Sequence, residues 1–180
     1  MDTIVVILSV IIVVCLILIL LIATYNRFQD YIIRINEAEV NIDSVLRKRF
    51  DLLNKSVGII KANVNTDEPI LEIIEKIRSK KLINFDLDRN LYEAINEFHT
   101  LKEKYPKLQE NKEFIKIEIN LIESEAEIVG LRKYYNDIIT DYNKLVRNCP
   151  SNLVALFKGY RTKAYFDGNN VENAKGTVKL

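Results

Sequence analysis

The chain has no tryptophan, a single histidine and two cysteines, and only five glycines and three prolines punctuate its 180 residues. Each scarcity removes a class of protein. Di-metal sites in helical bundles take a Glu-x-x-His from each of two helices plus further carboxylates, which one histidine cannot supply. His99 has Asn96 three residues before it and borders an apolar row beside Phe98, the position of a surface or boundary histidine. Nucleophilic catalysis at Cys149 would need a base, and His99, on another helix, is the sole imidazole. No glycine-rich phosphate loop, metal-ligand spacing or nucleophile elbow occurs. Cys15 and Cys149 are too far apart in character and position to suggest a disulfide framework, which suits a reducing compartment. An excess of one charge is lacking too: 26 basic against 25 acidic residues leave a net charge of +1. A nucleic-acid binder would need a basic face to neutralise phosphates, so no nucleic acid is expected as partner. With so few turn residues, long regular elements are expected rather than closely spaced strands. No catalytic, cofactor-binding or metal-ligating residue is assigned.

What the chain does have is an uninterrupted apolar run, Thr3 to Ala23, without charge or proline. As a helix rising about 1.5 Å per residue it covers roughly 30 Å, the hydrocarbon thickness of a bilayer. A cleaved signal would need a basic start, an apolar core of about 7 to 15 residues and a small-x-small cleavage site. Asp2 is the only early side-chain charge and Leu21-Ile22-Ala23-Thr24-Tyr25 offers no such site, so an uncleaved single-pass anchor is expected, with the bilayer as partner of residues 3–23. Arg27, Arg34 and Arg47-Lys48-Arg49 follow the run, which places the amino terminus outside and the remainder in the cytoplasm. Tyr25 and Phe28 fall where an aromatic belt would hold the interface.

Beyond the anchor about 155 residues remain, enough for one domain. Apolar residues recur in alternating threes and fours at Phe28, Tyr31, Ile35, Ala38, Ile42 and Val45, and then, shifted by about one residue, at Leu46, Phe50, Leu53, Val57, Ile60 and Val64. This predicts one long helix running from the membrane into the domain. Arg47-Lys48-Arg49 reads as a solvated mid-helix run, with Asp43 four residues before Arg47. Asn65-Thr66-Asp67-Glu68-Pro69 should end that helix and open a short one through Ile70, Ile73, Ile74 and Ile77. After a break at Leu82–Asp86, capped by Asn84 or Asp86, a further helix carries Leu91, Ala94, Phe98, Leu101 and Tyr105 and stops at Pro106. The clearest row follows: Phe114, Ile117, Leu121, Ser124, Ile128, Leu131, Tyr135, Ile138, Tyr142 and Leu145. A second row (Ile115, Ile119, Ile122, Ala126, Val129) is expected to widen its buried face beyond that of a two-stranded coiled coil. Asn148-Cys149-Pro150-Ser151-Asn152 stops this helix; a short one from about Leu153 to Lys158 ends near Gly159, and Asp167-Gly168-Asn169-Asn170 marks a turn into a polar tail. The expected fold is all-α: a transmembrane helix (1–24) continuing into an antiparallel up-and-down helical bundle (25–160), with a partly mobile carboxy-terminal segment (161–180).

Tyr105-Pro106-x-Leu108, Phe114, Glu123 to Glu125, Tyr135-Asn136, Tyr142-Asn143, Pro150-Ser151-Asn152, Ala155 and Tyr165-Phe166 together resemble the LemA family of bacterial membrane proteins. Tyr25-Asn26, Ile42-Asp43 and Arg47-Lys48-Arg49-Phe50-Asp51-Leu52-Leu53 match its first-helix pattern. The resemblance implies one amino-terminal membrane helix with a short external end, a long antiparallel bundle and a molecular function that is not established; magnetosome-associated relatives suggest membrane organisation. Three positions depart from the pattern: Val40 stands where the family has tryptophan, Cys149 where it has an aromatic, and Phe157-Lys158-Gly159-Tyr160 where it has Phe-Gly-Phe.

The motif positions Tyr105, Pro106, Tyr135, Asn136, Tyr142, Asn143, Pro150 and Asn152 are the candidate structural or docking residues. The two Tyr-Asn pairs lie seven residues apart on one helix face, with both tyrosines in the buried row, where each needs one hydrogen-bond partner. Asn136 and Asn143 are expected to bond the neighbouring helix or the crossing Pro150–Asn152 segment. The sharper alternative is a docking groove between this helix and the carboxy-terminal segment. Glu118, Glu123, Glu125 and Glu127 fall mostly off the apolar row, as on a solvated face. The expected function is a non-catalytic interaction or scaffold protein on the cytoplasmic face of a bacterial membrane, binding an unknown protein partner by an exposed helix face while the anchor raises local concentration. The alternatives are an accessory or sensor subunit of a membrane complex and a hydrolase with an unrecognised site; homo-oligomerisation stays open. An apolar surface strip would favour the scaffold.

Overall fold

Proline marks where helices begin. Pro69 and Pro106 are the first residues of their helices and Pro150 the cap of its own, positions where a missing N–H costs no helical hydrogen bond. The computed structural model describes residues 2–63, 68–79 and 84–166. Among these the regular elements are all helical: α1 (Asp2–Asn63), α2 (Pro69–Ser79), α3 (Asn84–Lys104), the single turn α4 (Pro106–Gln109), α5 (Lys112–Arg147) and α6 (Ser151–Lys158). The expected Asn65–Asp67 stop, the start of the Leu82–Asp86 break, any cap by Asn84 and the Asp167–Asn170 turn lie outside the described residues or side chains. Two compact units share the chain: Met1–Glu37 with Asn136–Ala164, and Ala38–Tyr135 with Tyr165–Leu180.

The second unit is an up-and-down bundle. Within it α1 runs antiparallel to α5, since Glu39 meets Tyr135 while Arg49 meets Glu125. α3 is likewise antiparallel to α5: Asp88 pairs with Arg132 at one end, and Phe98 stacks on Phe114 with ring centroids 4.4 Å apart at the other. α2 runs back along α3, its leading Glu68 meeting Lys104 and Tyr105. Ile42, Leu46, Leu53 and Ile60 of α1, Ile70, Ile74 and Ile77 of α2, Leu91 and Phe98 of α3 and Leu121 and Ile128 of α5 make the core. Ser124, the polar member of the α5 row, is fully buried and donates its hydroxyl to the Leu121 carbonyl at 2.7 Å.

Two expectations fail in this unit, both for angular reasons. The second α5 row is not part of the core: Ile119, Ile122 and Val129 are at least half exposed, Ala126 is exposed and Ile115 half-buried. At about 100° per residue these positions point roughly opposite to Ile117, Leu121 and Ser124, so a single-sided core leaves them outside. Arg47-Lys48-Arg49 divides instead of staying together. Arg47 is exposed and pairs with Asp43 at 2.7 Å, as expected, and exposed Lys48 lies 3.5 Å from Glu127. Arg49, by contrast, is 1% exposed, because it sits mid-face between Leu46 and Leu53, and Phe50 is displaced to the half-buried edge.

In the first unit the apolar run of α1 has a mean hydropathy of 3.8 and none of it is buried against protein. It is long enough to span a membrane and anchors the chain there. Beyond the run, Phe28 and Ile35 become fully buried. α6 ends at Gly159, whose φ of 70° is the left-handed conformation of a helix-terminating glycine. The Tyr160 amide then bonds the Ala155 carbonyl at 2.9 Å and turns the chain back.

Candidate functional site

The candidate motif positions divide between the two units: Tyr105, Pro106 and Tyr135 belong to the second, and Asn136, Tyr142, Asn143, Pro150 and Asn152 to the first. In the first unit Tyr142 and Asn143 form its best-defined cluster. Tyr142 meets the Phe28 ring edge-on at 6.0 Å, Tyr160 packs on the other side of Phe28 at 4.7 Å, and the Tyr160 hydroxyl accepts from Gln29 at 2.8 Å. Burial, with a contribution from Tyr160, pushes the Tyr142 hydroxyl above its ordinary pKa. Asn143 acts as a two-way clip: its amide donates to the Lys163 carbonyl at 2.9 Å and its carbonyl accepts from the Lys163 amide at 2.8 Å. Its partner is therefore the extended segment after α6, not a neighbouring helix or the Pro150–Asn152 turn. Asn136, half-buried in the same unit, accepts through its main-chain carbonyl from Thr140 at 2.9 Å.

Pro150 and Asn152 are exposed, and the buried member of that motif is Ser151. Its hydroxyl lies 2.6 Å from the Leu145 carbonyl and 2.8 Å from that of Asn148, which ties the start of α6 to the end of α5.

In the second unit Tyr135 is buried, meets Phe166 edge-on at 6.1 Å and donates to Glu39 at 3.3 Å. Burial, reinforced by the negative charge of Glu39, pushes its pKa up to about 12. Arg132 lies over the other ring of that pair, 5.7 Å from the Phe166 centroid, and is ion-paired with buried Asp88. Tyr105 belongs to a separate cluster. Its hydroxyl and the Lys104 ammonium converge on one Glu68 oxygen at 2.5 and 2.7 Å, while Pro106 beside it is exposed. Hydrogen bonds from Lys104 and Tyr105 hold the Glu68 carboxyl below its ordinary pKa, and the same bonds raise Lys104 and Tyr105.

The ionisable groups beside these motifs, Glu39, Glu68, Asp88, Lys104 and Arg132, are thus engaged in packing contacts. Glu118, with a side chain 12% exposed, bonds Lys102 at 2.9 Å and lies 3.8 Å from His99; Glu125 holds Arg49, and Glu127 faces Lys48. Only Glu123 of that acidic group is left as plain solvated surface. Among the described residues no group of three or more His, Cys, Asp or Glu could hold a metal ion.

The second unit leaves exposed an apolar row, Ile119, Ile122, Ala126 and Val129, on the outer face of α5. Its three-four-three spacing is legible in the sequence, but its direction becomes clear only relative to the buried row. The buried ions Arg49, Glu68 and Asp88 and the half-buried Arg132 were missed; charges standing next to apolar rows are the signal that could have found them.

The sequence model of the LemA family matches residues 38–180. The match leaves the apolar run and the Tyr25-Asn26 pair outside it. No curated protein matches the chain.

Proposed function

Because the chain belongs to the LemA family, we propose that it is a non-catalytic, membrane-anchored docking protein whose outer α5 face receives a helix of a partner protein. The observation that carries this is the row Ile119, Ile122, Ala126 and Val129, apolar residues left in water by a helix whose other face fills the core. Spaced at i, i+3, i+7 and i+10, they form a seam that an amphipathic helix can cover. Lys116, Glu123 and Lys133 provide exposed charges around it. Tyr105, Tyr135, Asn136, Tyr142 and Asn143 are structural in this reading: they fix α5, and so the direction in which its outer face looks. Anchoring confines the chain and any membrane-bound partner to the same surface, which raises their effective concentration.

A photo-crosslinking residue at Ile122 tests this in cells. A discrete adduct that is lost when Val129→Glu is added, and that a crosslinker at exposed Tyr92 does not give, is the expected result. Equal patterns from Ile122 and Tyr92 would remove the α5 face from consideration.

The bundle is assigned to the cytoplasm. Arg27 and Arg34 after the run, against Asp2 before it, support this orientation. Cys149 is an exposed free thiol. A membrane-impermeant maleimide should label it only after permeabilisation, with Cys149→Ser as control; labelling of intact cells would reverse the topology.

A further inference from the structure

α6 has two apolar faces. Ser151, Val154 and Ala155 are buried against the rest of the first unit, whereas Leu153, Leu156 and Phe157 point away from it, with Leu156 79% and Phe157 87% exposed. At about 100° per residue the two sets fall on opposite sides of the helix, so the outer set is not the fringe of the inner contact. A face of large apolar side chains turned away from the protein contact calls for a second apolar environment, and here no protein covers that side among the described residues.

The place of α6 decides what does. Leu21, Ile22 and Tyr25 of α1 and Val154, Phe157 and Lys158 of α6 line one open cleft of about 350 Å³. Leu21 and Ile22 belong to the last turn of the apolar run, within the roughly 30 Å that crosses the hydrocarbon. The outer face of α6 therefore continues the lipid-facing surface of the anchor, at the level where that surface leaves the hydrocarbon. The Lys158 ammonium stands 5.2 Å from the centroid of the Tyr25 ring, at the polar edge of the apolar patch. This is the arrangement of an interfacial lysine, with its stem along apolar surface and its charge toward the headgroups. From Tyr142 to Phe166 the chain has no Asp or Glu but carries Lys144, Arg147, Lys158, Arg161 and Lys163. An amphipathic element with large apolar side chains and a basic flank is the form that lies in the boundary of an anionic bilayer.

We propose that α6 is a second membrane contact, an interfacial helix that inserts Leu156 and Phe157 into the bilayer beside the end of the transmembrane helix. The unit carrying α6 is then held to the membrane at two places, the span and the interfacial helix.

The absence of tryptophan makes the test specific. Phe157→Trp and Leu156→Trp are made in the full chain, with Tyr92→Trp, an exposed position in the other unit, as reference. Each is reconstituted in vesicles of phosphatidylcholine and phosphatidylglycerol, with and without lipids brominated in the upper acyl chain. Circular dichroism checks that the helix content is kept. The expected result is blue-shifted emission from positions 156 and 157, at least twofold quenched by the brominated lipid, while position 92 is unaffected. Emission from 156 and 157 as red and as unquenched as that from 92 would overturn the proposal. Blue-shifted but unquenched emission would overturn it as well, by placing the patch against protein, such as a second copy of the chain.

Discussion

Removing Glu125 should harm the bundle more than removing the buried arginine it serves. The Arg49 side chain is 2% exposed and that of Glu125 41%, so the cation is desolvated and the anion is not. At an effective dielectric of about 20, charges about 4 Å apart attract by about 4 kcal/mol. Water around Glu125 screens part of this, and alanine at an exposed helical site returns a few tenths of a kcal/mol of propensity. Glu125→Ala should therefore cost about 2 kcal/mol, because it leaves the guanidinium buried without its counter-ion. The Arg49 Nε already lacks a hydrogen-bond partner, so the site has no reserve. Arg49→Met fills similar space without charge and should lie within about 1 kcal/mol of the wild type. In a domain of this size about 2 kcal/mol corresponds to a fall in Tm of about 4–8 °C. Thermal melts of the full chain in detergent, followed by circular dichroism, measure both variants. Melting of Glu125→Ala with the wild type, or of Arg49→Met below Glu125→Ala, would contradict this assignment of the buried charge.

Further outcomes follow from the other clusters. Glu68 has a folded pKa below its ordinary value, so its contribution is complete above about pH 4.3 and fades as pH falls through the lower, folded value; the difference in Tm between wild type and Glu68→Gln at neutral pH should close on acidification, and a pH-independent difference would contradict this. Tyr135 has the opposite sign: with a folded pKa near 12, the stability it confers is present below about pH 10 and is lost as pH rises through the folded value. Tyr105 and Tyr142 are raised as well, so tyrosinate absorbance should show several late-titrating rings, the last of which Tyr135→Phe removes. Asn143→Leu deletes both bonds to Lys163, each worth about 1 kcal/mol; amide hydrogen exchange should quicken around Lys163 and stay unchanged in α3, and equal exchange in both proteins would mean that the clip holds nothing.

How far the sequence foretold this structure depends on what periodicity can and cannot say. The rows Phe28–Val45 and Phe114–Leu145 were legible because large apolar residues recur at one helical angle over many turns, and all but Tyr31 and Leu131 of them are buried. Ends were legible where Pro106, Pro150 and Gly159 leave the backbone little choice. Arg49 was not, because a guanidinium at an apolar angle looks like surface until the opposing Glu125 is known to reach it. Ile119, Ile122 and Val129 failed for the converse reason: apolar character was read as burial, although their angle already pointed away from the core. Of the candidate site, the Tyr142 and Tyr135 packing was foreseen, while the bond of Asn143 to a segment twenty residues on depends on the reversal at Gly159, which no helical pattern encodes.

The separation in sequence of the partners of α1 bears on how the protein is made. Gln29 bonds a residue 131 positions later, Glu39 one 96 later and Arg49 one 76 later, whereas Lys102 and Glu118 on the α3 to α5 hairpin are 16 apart. A ribosome delivers α1 first and its long-range partners last. The hairpin can therefore close locally while the first helix waits with part of its apolar stripe uncovered. Holding that helix by its span keeps the waiting surface in place and at the bilayer until the last third of the chain emerges to cover it.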